Sequence, residues 1–146
     1  MRVGTDSDAA AFLALRAEWH GGPVSSAGFA ESFTSWFRRE LPTRWWWLAH
    51  DDEGVPLGMV NLKIFERMPS PTRGASRWGY LSNLYVVSSH RGAGIGGGLI
   101  EALLERAMKE GLVRVVLSPS TASVPLYGRY GFSAAGGLLV RQLDGG

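Results

Sequence analysis

The sequence has no cysteine. That excludes a disulfide framework, a cysteine-ligated zinc and a thiol nucleophile, and a chain without disulfides fits a reducing compartment, so a cytoplasmic location is expected. Runs of lysine or arginine are also missing, and the formal net charge is only +2. Nucleic-acid binding would call for a basic face or stripe, so no nucleic-acid partner is expected. No apolar stretch approaches the length needed to span a membrane, and no membrane partner is expected. Asp6 and Asp8 precede the short apolar run Ala9–Leu15. A secretory signal wants a basic start and a longer apolar stretch, so this segment reads as a helix of the mature protein. His20, His50 and His90 do not cluster by spacing, and no metal site is assigned.

What is present describes an ordinary globular domain spanning residues 1–146, with 45% hydrophobic and 19% charged residues. Thr5 and Asp8 read as a capping box, followed by a helix to about Trp19 with Phe12, Leu15 and Trp19 on one face. A second helix is expected from about Ser26 to Glu40, ended by Pro42. The period then changes. Arg44 to His50 and Val55 to about Phe65 read as strands around a turn at Asp51–Gly54, and Trp78 to Val87 as a third long strand. Ile95 to Glu110 is an amphipathic helix stopped by Gly111. A short strand at Val113–Leu117, a brief helix around Ala122–Tyr130 and a closing strand at Leu138–Leu143 complete the chain. This order predicts an α/β fold, a mixed sheet with helices on both faces.

Arg91-Gly92-Ala93-Gly94-Ile95-Gly96-Gly97 joins the third long strand to the amphipathic helix. Glycines let backbone N–H groups face outward, and the first helical turn adds unpaired N–H groups and partial positive charge. Together they form an anion cradle suited to a diphosphate, with Arg91 at its lip to add a charge-assisted bond. Gly92, Gly94 and Gly97 also satisfy the spacing of dinucleotide-binding loops. The loop lies too late in the chain for that fold, and Leu117-Ser118-Pro119 stands where a ribose-binding carboxylate is expected. A phosphate-loop NTPase is excluded because no Lys-Ser or Lys-Thr follows the glycines.

Leu84-Tyr85-Val86 followed by Arg91-Gly92-Ala93-Gly94-Ile95-Gly96 resembles the coenzyme-binding motif of the GNAT superfamily of N-acetyltransferases. Ser120 to Tyr127, ending in Gly131-Phe132, is similar to the family's second signature, and the order of elements agrees along nearly the whole chain. The resemblance implies a mostly antiparallel mixed sheet, splayed at a V-shaped cleft that binds acetyl-CoA as acyl donor. Leu84, Tyr85 and Val86 would offer backbone groups to pantetheine. The N–H groups of Gly92, Ala93, Gly94, Ile95, Gly96 and Gly97 would hold the diphosphate, and Ser120 would contact the coenzyme. Tyr127 matches the family's general acid; a core tyrosine pinning the last helix is the competing reading.

Many relatives place a glutamate base on the strand before the glycine loop. Here that strand carries Trp78, Tyr80, Ser82 and Asn83. Glu66 is the nearest acidic candidate by sequence, and Asn83 is a candidate for positioning a water. The acceptor pocket is expected from the His20–Ser26 loop, the second helix and the strand of Trp45, Trp46 and Trp47. The resemblance thus implies an N-acetyltransferase acting on a primary amine of a small molecule or peptide, compatible with a homodimer. The alternative is a non-catalytic domain that binds acyl-CoA as a sensor or interaction module.

Overall fold

The computed structural model describes residues 1–21 and 27–143. Near the N-terminus, Thr5 N–H donates to Asp8 Oδ2 at 2.8 Å and Asp8 N–H to the Thr5 carbonyl at 2.9 Å. The first of these bonds belongs to the Thr5–Asp8 capping box that the sequence predicts. A 3-10 turn at Asp6–Asp8 leads into α1 (Ala9–His20), which Gly21 ends in the left-handed region at φ 116°. The second helix, α2, runs Ala27–Glu40; its expected start at Ser26 lies outside the described residues. Strand β1 (Arg2–Val3) is followed, after the two helices, by β2 (Arg44–His50), β3 (Pro56–Glu66) and β4 (Arg77–Val86). Helix α3 (Ile95–Lys109), strand β5 (Val115–Val116) and helix α4 (Val124–Arg129) complete the regular structure.

The five strands lie side by side in chain order. The first four are antiparallel, and β5 joins β4 in parallel after the α3 crossover. Strand alternation divides the apolar side chains between two faces. Trp46, Leu48, Leu57 and Met59 pack with Phe12 and Leu15 of α1 and Phe37 of α2. Trp47, Ala49, Val60 and Leu62 pack with Leu99, Ile100 and Leu103 of α3 and Tyr127 of α4. Helices therefore cover both faces, as expected.

One residue breaks the alternation of β4. Leu81 belongs to the α3 face, whereas Tyr85, four positions later, belongs to the α1–α2 face. An uninterrupted strand would put both on the same side. The extra residue is Asn83, at φ 59°, where the β3–β4 register shifts. Asparagine tolerates this left-handed conformation better than most residues, and the result is a β-bulge.

The C-terminal third differs from expectation in two places. Only Val115–Val116 of the predicted strand Val113–Leu117 pairs, and no strand forms over Leu138–Leu143. Leu138, Leu139, Val140 and Leu143 are between 72% and 94% exposed. Branched side chains favour a strand only where a neighbouring strand and a buried face receive them, and here they meet neither.

Candidate active site

The parallel pairing of β4 with β5 stops early. Gly79 pairs with Val115 and Tyr80 with Val116, and just beyond them the Tyr80 hydroxyl donates to Ser118 Oγ at 2.8 Å. Past that point the two strands share no ladder, so a cleft opens along Leu84–Val86. Val87 N–H donates to the Leu57 carbonyl on the β3 side at 2.9 Å. Alternation then turns the N–H and C=O of Val86 towards the cleft.

The glycine loop connects the end of β4 that β5 leaves unpaired to α3. Gly92 and Gly94 take φ values of 86° and 84°, a conformation that would strain a residue carrying a Cβ. Gly94 caps α3 without a side-chain hydrogen bond, and no acidic residue occupies the first turn. The first N–H groups of the helix, at Ile95, Gly96 and Gly97, therefore stand unopposed by side-chain acceptors. Arg91 does not extend from the lip. Its Nε donates to the Val86 carbonyl at 3.0 Å, and its guanidinium lies 5.6 Å from the Tyr85 ring centroid. Gly97 has a second role in packing: a Cβ there would stand 2.0 Å from the Tyr130 hydroxyl oxygen. Tyr130 thus brings the end of α4 onto the first turn of α3.

Tyr127 is buried among the side chains of the α3 face, with Leu84, Val86 and Ile95 at the border of the same cluster. Its ring meets Phe132 edge-on at 5.7 Å. Burial pushes its phenol above the ordinary tyrosine value, which keeps the proton on. The ring also lines a cavity of about 500 Å³ beside Leu117, Ser118 and Phe132. Ser120 is exposed, and its hydroxyl donates to Ser123 Oγ at 3.0 Å.

On the opposite face, Asn83 anchors a buried polar chain. Its Oδ1 accepts from Asn61 Nδ2 at 2.8 Å, and Asn61 Oδ1 accepts from Arg44 Nη1 at 2.5 Å and from Ser82 Oγ at 3.0 Å. Arg44 Nε and Lys63 Nζ both reach Glu40 Oε1, at 3.0 and 3.1 Å. Burial acts to raise the Glu40 carboxyl, but the bonds from Lys63 and Arg44 prevail and hold it below the usual range. Asn83 also lines a cavity of about 290 Å³ with Arg16, Phe33, Trp36, Trp46 and Met59.

The acetyltransferase (GNAT) family profile matches residues 9–132. The chain belongs to the GNAT acetyltransferase family. Among its relatives is the glucosamine 6-phosphate N-acetyltransferase of Trypanosoma brucei brucei, 36% identical over 86 residues that cover 59% of this chain and 56% of the relative. The L-methionine sulfoximine/L-methionine sulfone acetyltransferase of Pseudomonas aeruginosa is 40% identical over 121 residues, covering 81% of this chain and 66% of the relative. The chain spans roughly half the length of the curated relatives it matches. Among solved structures, a predicted acetyltransferase of Clostridium acetobutylicum with acetyl-CoA superposes with a TM-score of 0.80 at 22% identity, covering 97% of this chain and 94% of that one. That likeness concerns the fold.

The GNAT domain divides the residues singled out from the sequence between the two faces of the sheet. Leu84, Val86 and Ile95 pack against the cluster that holds Tyr127, whereas Tyr85 and the cavity lined by Asn83 lie on the α1–α2 face. Glu66 does not join them. It is exposed and pairs with Arg77 at the far end of β4, six residues and about 20 Å along the strand from Asn83. The sequence reading missed Arg16, Arg44, Glu40 and Asn61. A fully buried asparagine inside an apolar strand was the one available signal, since such a residue needs hydrogen-bond partners. Among the described residues no group of three or more His, Asp or Glu converges as a metal site, and no helix is long and apolar enough to cross a membrane.

Proposed function

We propose that this chain is an N-acetyltransferase that moves an acetyl group from acetyl-CoA to a primary amine. The observation that carries the reading is the cleft, which opens where the β4–β5 ladder ends and meets an uncapped helix start preceded by Gly92 and Gly94. An extended amide-bearing arm joined to a diphosphate fits these two features together, because each supplies the backbone groups the other end of such a ligand lacks. The backbone of Leu84, Tyr85 and Val86 would hold the arm, and the N–H groups of Gly92 to Gly97, Ala93 and Ile95 among them, the diphosphate. Arg91 would leave the Val86 carbonyl to reach it. Ser120, on the turn before α4, would turn its hydroxyl from Ser123 Oγ to the coenzyme.

Acetyl-CoA, when bound, supplies the acetyl thioester. Tyr127 keeps a protonated phenol at neutral pH and donates to the departing sulfur, the role of a general acid. Asn83 holds a water that takes the proton lost by the attacking amine. Among the described residues no Asp or Glu lines the cavities at Asn83 and Tyr127. A second reading, a non-catalytic acyl-CoA-binding module, draws support from that same lack.

Release of free thiol from acetyl-CoA in the presence of small-molecule amines separates the two. Amine-dependent release supports the enzyme. Calorimetric binding of acetyl-CoA with no release from any amine supports the binding module. Binding of NADH in place of acetyl-CoA would overturn both.

A further inference from the structure

We infer that the cavity at Asn83 takes an acceptor built like an apolar or aromatic amino acid, with a single carboxylate held by Arg16. The inference rests on the acetyltransferase reading and names the substrate class of that site. The cavity, about 290 Å³, lies at the low end of small-molecule pockets, roughly 300–1,000 Å³. Most of its wall is apolar, from Phe33, Trp36, Trp46 and Met59.

The polar groups that reach it are nearly all donors. Arg16 rests 5.0 Å from the centroid of the Trp19 ring and has no carboxylate partner among the described residues. The Trp46 indole Nε1 is buried with no partner and is closed to the cavity surface, on a residue only 2% exposed. Asn83 spends its carbonyl oxygen on Asn61, which leaves its N–H₂ for the cavity. Among the described lining residues, the Ser32 hydroxyl can both donate and accept. A buried donor left unpaired is costly, and an anion or carbonyl oxygen is what removes that cost.

The same walls disfavour a polycation. Among the described residues no Asp or Glu lines the cavity. The aromatic faces are already engaged: Arg44 lies 5.2 Å from the Trp36 centroid, and Trp46 packs on Phe12 and Phe37 at 4.6 and 5.1 Å. Arg16 on α1 and Asn83 on β4 line the same cavity, so a carboxylate held at Arg16 would keep the amine on the adjacent carbon within the cavity that Asn83 lines.

The test compares L-phenylalanine, phenethylamine and spermidine as acceptors, with acetyl-CoA binding measured separately by calorimetry. The expected result is a preference for L-phenylalanine over phenethylamine in kcat/KM, with spermidine poorest. Arg16→Gln should cut that preference by about tenfold to a hundredfold, the range for a lost charged hydrogen bond, and Arg16→Lys should keep part of it. Retained acetyl-CoA binding reports that the variants are folded. Equal use of L-phenylalanine and phenethylamine, a preference for spermidine, or an unchanged preference in Arg16→Gln would overturn the inference. Failure of the underlying reading looks different: no thiol release from any amine, while L-phenylalanine still quenches tryptophan fluorescence in the wild type and less so in Arg16→Gln.

Discussion

Trp19 lies nearly flat against Tyr85, with ring centroids 5.5 Å apart and planes inclined by 16°. The contact ties the last turn of α1 to the strand that borders the cleft. Arg16 sits 5.0 Å from the Trp19 ring and Arg91 5.6 Å from the Tyr85 ring, so cation–aromatic contacts run from the cavity at Asn83 to the glycine loop. An aromatic pair of this kind contributes about 0.5–1.5 kcal/mol beyond its buried area. Trp19→Leu is expected to lower the melting temperature by about 2–4 °C. It should also remove most of the fluorescence change that acetyl-CoA produces in the wild type. A full fluorescence response in the variant would place the reporter elsewhere among the six tryptophans.

Tyr127→Phe removes a hydroxyl and leaves the packing on Phe132 intact. Acetyl-CoA affinity, read by calorimetry, should hold. Turnover should fall by about 10²–10⁴, the usual range for a lost general acid. Because burial raises the phenol's pKa, the wild-type rate should show no alkaline decline attributable to Tyr127 below about pH 10. Unchanged turnover in the variant would leave Tyr127 as a packing residue.

Asn61 is fully buried and serves Arg44, Ser82 and Asn83 at once. Asn61→Leu keeps the volume but strands those partners. The expected cost is about 2–4 kcal/mol, seen as a melting temperature lower by about 5–10 °C. The acceptor KM should rise with it, since Asn83 loses the bond that orients its amide. A normal acceptor KM in a destabilised variant would show that the polar chain serves only the fold.

Asp8 gives the pH prediction. The hydrogen bond from Arg2 chiefly holds its carboxyl below the usual range; burial opposes this, and the Thr5 backbone N–H assists. A carboxyl with a folded pKa below its unfolded value stabilises fully above about pH 4. That stability is lost as the pH falls through the folded value. Denaturant melts of wild type and Asp8→Asn should therefore differ by about 1 kcal/mol at pH 7, a typical capping contribution. The two curves should converge as the pH falls through that lowered folded value. A gap that persists in acid would assign the effect to something other than the charge.

Much of this architecture could be read in advance, for identifiable reasons. β2 and α3 declare themselves because alternation at Trp46–Ala49 and the stripe through Leu99, Ile100 and Leu103 each match one period. The loop from Gly92 to Gly97 is legible because positive φ selects for glycine. Asn83 could be flagged, but the bulge it creates could not, since the apolar pattern does not record where an extra residue enters a strand. Glu66 was misplaced because nearness in sequence says nothing of which end of β4 a residue faces. Arg16 stayed hidden because its cavity draws on α1, α2 and three separate strands.

The two-residue attachment of β5 has a consequence for motion. A strand held by so short a ladder can open without unfolding the rest, whereas β3, paired along its length on both sides, cannot. Amide protons at Val115 and Val116 should then exchange with solvent well before those of Met59 to Leu62. One wall of the cleft thus has little cohesion of its own, no more than the equally short β1 at the other edge of the sheet. A ligand that bridges β4 and β5 would act as mortar there, slowing exchange across both walls and raising the free energy of opening in proportion to the logarithm of its concentration.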